Sequence, residues 1–469
     1  MTNHHPIDSF PSRHLSNNYY DGFRVDRSCL DGKTTRRLHN TVNAQLDLFK
    51  VPPTETSLGG GTWVSVQPLS QVESSSQLQL HLPASDEYYT DLQNSYAIVE
   101  CKVVKADRRA LDANGTKVYP ITNLPHTLFK RMTLALNSTD VDHNAAYAQT
   151  AYIHSLIDET DASKRGRLTG EGWLDDGATA KDEADAAAAA KTTRIESIKT
   201  SKKLSYYMKF FLSVNKQRRH IPPGVSIRLT LNRSSPATCL MSDDNNDGSK
   251  VIITKLEWMV RRVMVNPSIV RAHNARLIEG NTFKFPLLKQ RTRTFTIPSG
   301  VSSHRLVIDQ DDAIPSRILL TMLPHEAYVG AYKLSPFKFS NHGLTSTELT
   351  VDGVTVGKPI QTDFAKNNYA HAYAHTIASL GQLNSKSSNG ISYSDYGENK
   401  TILAWSLGSD LPNKDKGNYF HLRRKGCTAV SLKFKDVLPK PLTVLITDER
   451  EDLLEIALEQ RVRSVVGVV

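Results

Sequence analysis

Two β-sandwiches in tandem are what this 469-residue chain predicts, and three observations carry that reading. Short alternating or apolar segments recur between Thr62 and Ile446, separated by Gly, Pro, Ser and Asn, which is the texture of an all-β sandwich. One stretch, Val251 to Gly300, reads as strand, helix, strand and divides that pattern into two halves. Three short sequence matches then recur in the same order in both halves.

Residues 1–45 have little hydrophobic periodicity and read either as an arm ordered only against something else or as a tail without function. From Leu46 the segments Thr62–Gln67, Gln77–Leu82, Tyr96–Val104 and Met132–Leu136 read as strands, and residues 144–157 as a helix. Residues 158–203 are polar, with an Ala-rich run at 184–191, and are expected to form a surface insertion with one short helix. Strands resume at Leu204–Val214 and Val225–Leu231.

The dividing stretch has the sharpest local signals. Leu256, Trp258 and Val260 alternate with Lys255, Glu257 and Arg261, the period of a half-buried strand. Asn266 and Pro267 supply an N-cap and a first helical residue, and Gly280 a left-handed end. Ile269, Val270, Leu277 and Ile278 form an apolar stripe, so this helix is expected to pack in a groove between the sandwiches. Phe283, Phe285, Phe295 and Ile297 begin new strands. Arg317–Met322, Glu348–Val356, Thr401–Leu407, Ala429–Phe434 and Leu442–Ile446 follow as strands, with a helix near Phe364–Leu380. Residues 449–464 fit either an amphipathic helix or a strand running into a tail.

The internal matches pair LALNSTDV at 134–141 with LTVDGVTV at 349–356, each a strand, a two-residue turn and a strand. AYIH at 151–154 pairs with AYAH at 372–375, and IRLTL at 227–231 with VSLKF at 430–434. The offsets are 215, 221 and 203, and the change falls where composition places the insertion. The domains expected are an arm at 1–45, a first sandwich at 46–266 with its insertion at 158–203, a linker helix at 267–280, a second sandwich at 281–450 and a tail at 451–469.

Bulk properties narrow the function. A net charge of +10 and a pI near 9.2 are basic but diffuse, with no run of five or six like charges, which suggests general attraction to polyanions. Four scattered cysteines have no metal-ligand spacing and point to reduced thiols. The polar N-terminal residues and the absence of a long apolar run predict neither a signal peptide nor a membrane span, hence a soluble intracellular product.

LDLFKVPPTET (46–56), AHNARLIEG (272–280), AYVGAYKLSPFKF (327–339), the VDG turn (351–353) and KPIQTDF (358–364) resemble the hexon-type major capsid protein of Maverick/Polinton elements and adintoviruses. The resemblance runs from about Leu46 to the C-terminal strands. It implies a double jelly roll, two eight-stranded sandwiches in one chain, that forms a homotrimer of pseudo-sixfold outline in an icosahedral shell. It also implies contacts with neighbouring capsomers, with penton or minor capsid proteins and with packaged DNA, and a place in the virion after synthesis in the host cytoplasm and assembly there or in the nucleus.

Candidate chemistry is sparse. Asp243, Asn245, Asp247 and Gly248 match positions one, three, five and six of a calcium-binding loop, but position twelve is Thr254 and a strand follows, so a solvated hairpin loop is favoured over calcium. His154 and His375 recur in the two halves as packing residues. Gly59-Gly60-Gly61 reads as a turn, and the carboxylate pairs Asp175-Asp176 and Asp311-Asp312 as polar loops. No Gly-x-Ser-x-Gly or catalytic cysteine signature is present, so neither an enzyme nor a cofactor is expected. Among the basic pairs, Arg36 and Arg37 on the arm are the candidates for inner-face contact with DNA or a neighbour, with Tyr19, Tyr20 and Phe23 as anchors. The alternatives are a penton protein, for which one sandwich would suffice, and a jelly-roll carbohydrate-binding or glycan-processing protein, which calls for aromatic clusters on loops or paired carboxylates.

Overall fold

The computed structural model describes residues 54–114, 116–174, 183–244, 247–408, 420–422, 424–458 and 461–465, with backbone alone at 183–189, 311, 464 and 465. The first sandwich is built from β1 (Leu58–Val66), β2 (Gln77–Leu82), β3 (Tyr88–Val104), β4 (Phe129–Leu136), β5 (Thr139–Asn144), β6 (Leu204–Met208), β7 (Ile227–Arg233) and β8 (Lys250–Val265). The second uses β9 (Phe283–Ile297), β10 (Ser303–Ala313), β11 (Arg317–Pro324), β12 (Leu344–Val351), β13 (Val354–Thr355), β14 (Ile402–Ser406), β15 (Lys425–Phe434) and β16 (Leu442–Ile456). One sheet of the first sandwich runs β1-β8-β3-β6 and faces β2-β7-β4-β5; the second repeats this as β9-β16-β11-β14 facing β10-β15-β12-β13. Consecutive strands crossing between two antiparallel sheets in this order make a jelly roll, and the chain makes it twice.

Local chemistry accounts for these elements. In β8 the buried set is Val251 and Ile253, then Leu256, Trp258 and Val260, then Val263. The alternation slips at the two irregularities in its pairing with β3: one extra residue of β8 at Thr254, and Val260 opposite four unpaired residues of β3, 92–95. The matched turns are both two-residue hairpins, and Asn137 and Asp352 each sit left-handed, at φ 53° and 51°. Gly353 follows at φ 79°, and the Asp352 carboxylate accepts from the Cys427 backbone N–H at 2.7 Å.

Four helices matter: α1 (Tyr147–Ile157), α2 (Glu183–Ile198), α3 (Pro267–Ile278) and α4 (Ala370–Ser379). The caps of α3 form as expected, with Asn266 Oδ1 accepting from the Ser268 N–H at 3.0 Å and Gly280 at φ 87°. Its packing differs from expectation. Leu277 is buried and Ile269 half-buried, but Ile278 is 74% exposed. The helix that fills the space between the sandwiches is α1. All eleven of its residues are buried; Tyr147 and Ala151 belong to the first core, Tyr152, Ile153, Leu156 and Ile157 to the second. A helix without charged residues on any face is one with no solvent side.

Other expectations are corrected. The segment 158–203 is not all surface: Leu168 and Trp173 are buried in the second core and Ile198 in the first, with Trp173 stacked on Tyr152 at 5.3 Å. Phe283 to Ile297 is one strand, not two. β16 runs on to Ile456, past the expected boundary at residue 450, and pairs with Val462–Val465, so the described part of 449–464 holds two paired strands and not a helix. Gly59-Gly60-Gly61 lies within β1 instead of a turn, and Asp311-Asp312 within β10 instead of a loop. Asp175 and Asp176 lie outside the described residues.

Gly353→Ala is predicted to lower stability by about 1–2 kcal/mol, the cost of a side chain in left-handed backbone. Urea unfolding checks it; an unchanged midpoint would contradict the assigned turn.

Candidate functional site

The pairing of β9 with β16 is unbroken from Phe283↔Ile456 to Ile297↔Leu442. One end of this ribbon serves the first core, through Phe285, Leu287, Leu454 and Ile456. The other serves the second, through Ile297, Leu442, Val444 and Ile446. Between them the strands bury Gln290, Thr292, Thr447, Asp448, Glu449 and Asp452. A polar belt therefore crosses the molecule where the two apolar cores meet.

On one face of the ribbon Arg317 from β11 grips Glu449 with two bonds, Nε to Oε2 at 2.8 Å and Nη2 to Oε1 at 2.7 Å. Gln290 donates to Glu449 Oε1 at 2.9 Å and accepts from Lys216 Nζ at 2.9 Å. His154 on α1 meets Asp158 at 2.7 Å, and Arg317 also reaches Asp158 at 3.5 Å. Thr150 of α1, Thr292 and Thr447 form a hydroxyl chain at 2.6 and 2.9 Å. On the other face, Arg293 clasps Asp309 at 2.7 and 2.6 Å and reaches Asp448 at 3.1 Å. Arg450 bonds Asp448 at 2.6 Å, Asp312 at 2.8 Å and Asp309, and Arg291 joins Asp309 at 3.0 Å.

These placements set the protonation states. Burial alone would raise the Glu449 carboxyl, but Arg317 holds it below the usual carboxylate range. Asp158 is likewise held low against the effect of burial, by His154 and Arg317. Burial pushes the His154 imidazole down. Burial also works against the Arg317 charge, yet Glu449 and Asp158 keep the guanidinium protonated. Each of these carboxylates is engaged by a cation, so the belt is a structural clamp.

The residues singled out in the sequence are not brought together. Asp243 pairs with Lys191 at 2.9 Å, and Asp247 accepts from Ser242 Oγ at 3.0 Å and from the Ser249 N–H at 3.1 Å. Asn245, Arg36, Arg37, Tyr19, Tyr20 and Phe23 lie outside the described residues. Among the described residues no group of three His, Cys, Asp or Glu could hold a metal. Cys101 and Cys239 are buried free thiols, pushed up to about 12 and about 11 by burial. His154 is the repeated histidine that joins the belt; His375 on α4 lies beside Trp405, its centroid 6.4 Å away. The belt itself escaped sequence reading, because charged residues alternating in strands look like a solvated face.

Arg317→Met is predicted to cost about 3–5 kcal/mol by leaving Glu449 buried without its partner, and adding Glu449→Leu should recover most of that. Guanidinium unfolding of the cycle tests this; equal losses in the single and double variants would contradict the clamp. In pH, Glu449, Asp158 and His154 all have lowered folded values. Their contribution is full above the unfolded values and is lost as pH falls through the folded ones. The melting temperature should hold above about pH 7, decline below about pH 6.5 as His154 resists protonation, and fall again below about pH 4. His154→Gln should lessen the first decline, to which His342 and His375, also pushed down by burial, contribute as well, and a decline unchanged in that variant would refute a share for His154.

No protein-family model matches the chain. An uncharacterized Caenorhabditis elegans protein is 22% identical over 404 residues, covering 83% of this chain and 93% of that protein. Among solved structures, a chain of the Sputnik virophage covers 92% of this chain and 94% of its own length, with a TM-score of 0.60 at 12% identity. The Faustovirus major capsid protein matches at 0.58 and 9% identity, over 87% of this chain and 92% of its own. The mavirus major capsid protein matches at 0.52 and 11% identity, over 94% and 96%. Strand order and these likenesses agree on the fold, an all-β double jelly roll.

Proposed function

We propose that this chain is a hexon-type major capsid protein whose trimers form pseudo-hexameric capsomers of an icosahedral shell, in an element of the Maverick/Polinton or adintovirus kind. The observation that carries the reading is an asymmetry between equivalent helices. α1 and α4 each follow the fifth strand of their sandwich, yet α1 is wholly buried against the next sandwich while α4 leaves Ala370, His371 and Ala374 exposed. α1 lies against β9, with Thr150 on Thr292 at 2.6 Å and His154 on Gln290 at 3.4 Å, and β9 pairs along its length with β16. Their counterparts β1 and β8 leave Leu58 39%, Trp63 46% and Met264 44% exposed. An open donor face and an open acceptor face on one chain are the two halves of a heterologous contact, which closes into a ring when copied by rotation. Three copies give six sandwiches in alternation.

Likeness to two major capsid proteins over 87% and 94% of this chain supports this role. A penton protein would need one sandwich only. Within the shell, minor and penton proteins are the proposed further partners. Arg36 and Arg37 are proposed to touch DNA or an adjoining capsomer, with Tyr19, Tyr20 and Phe23 as anchors.

Size-exclusion light scattering should give three times the 52.2 kDa chain mass, and negative-stain images a hexagonal outline. Ala374→Glu and Trp63→Glu, each on an exposed position, should yield folded monomers. A wild-type chain that stays monomeric would overturn the proposal.

A further inference from the structure

The cavity under α3 has a chemistry of its own. Helix α3 roofs a cavity of about 600 Å³, within the range of pockets that take a ligand or an anchoring side chain. Its walls carry Arg218, Arg219, His220, His273, Arg276 and Lys284, and no carboxylate among the described residues lines it. That is a contrast with the belt, where each arginine named has its aspartate or glutamate. Here Arg218, Arg276 and Lys284 are without an ion-pair partner among the described residues, and Arg219 spends a donor on the Lys284 carbonyl. His220 keeps a buried Nδ1 with no hydrogen-bond partner among the described residues. His273 is held in place by Tyr89, its Nδ1 2.8 Å from the hydroxyl, and by the edge of Phe283.

The floor is apolar. Leu277 and Phe285 are buried, and Ile269 and Phe283 half-buried. We propose that this cavity binds an acidic amphipathic peptide segment of a partner protein, with an aliphatic or aromatic side chain on the floor and flanking carboxylates on the arginine wall. Arginine clusters are a recurrent way to read acidic motifs, and opposite charge across an interface speeds encounter and excludes wrong partners. Nucleic acid is the other polyanion a basic surface attracts. The floor disfavours it, because a phosphate backbone makes no use of buried aliphatic and aromatic side chains, and a duplex does not enter a space of this size.

The test uses the full chain and fluorescence anisotropy with a labelled peptide, acetyl-Glu-Phe-Asp-Leu-Glu-amide. Comparison probes are its Lys-for-acid counterpart, its Ser-for-Phe-and-Leu counterpart and a short duplex DNA. The acidic amphipathic peptide should bind best, and Arg218→Glu with Arg276→Glu should weaken it roughly tenfold or more, both positions being exposed. Ile269→Lys should weaken it while leaving any DNA binding unchanged or stronger. Equal binding of all three peptides, or DNA binding that exceeds peptide binding and is lost in the arginine variant, would overturn the assignment. Binding by monomer but not trimer would also overturn it, by giving the cavity to the subunit contact. Trimer formation is scored separately in the same samples, so a trimer without peptide binding rejects this inference and leaves the capsid reading standing.

Discussion

The antiparallel pairing of β9 with β16 is the constraint on which the molecule rests. Fifteen residues of each strand pair without a register shift, and the ribbon is long enough to belong to two cores at once. Its apolar ends are buried in different sandwiches, so neither sandwich is complete without it. Helix α1 makes the reciprocal crossing from the first half into the second. The two jelly rolls are therefore joined by shared secondary structure and not by a linker.

The belt at the middle of the ribbon follows from that arrangement. Where one core ends and the next begins, side chains on both strands are out of water without apolar neighbours on every side. Arginine and carboxylate in bidentate pairs satisfy one another there. Such pairs add little net stability over an apolar replacement, but they are costly to break. They also set register. Moving β16 by one residue would take Asp448 and Glu449 off Arg293 and Arg317 and turn every side chain to the opposite face. The charges thus specify which apolar residues enter which core.

Much of this was legible in the residues. The alternation of β8 and the caps of α3 form as the residues indicate, and the two hairpin turns and the three internal matches fall on equivalent elements of the two sandwiches. What misled were strands whose buried residues are polar. Lys289 to Arg293 and Asp448 to Asp452 look solvated in sequence, so β9 reads as two strands and β16 as ending near 450. Partners that make such residues buried are distant in sequence: Glu449 meets Arg317 and Asp309 meets Arg450 across more than a hundred residues. The choice of α3 over α1 as the filling helix had a different cause. Good caps mark α3 as a helix but say nothing of its burial, whereas the uncharged circumference of α1 is the signal of complete burial. The cationic cavity shows the same limit, since Arg218, Arg276 and Lys284 converge only in the fold.

If the ribbon makes the halves one unit, they must unfold together. Single-tryptophan versions keeping Trp258, in the first core, or Trp405, in the second, report each sandwich separately during denaturant unfolding. Coincident midpoints and slopes for the two reporters are the predicted result. A Trp405 transition separated from that of Trp258, with one core intact while the other is lost, would contradict the shared-ribbon account.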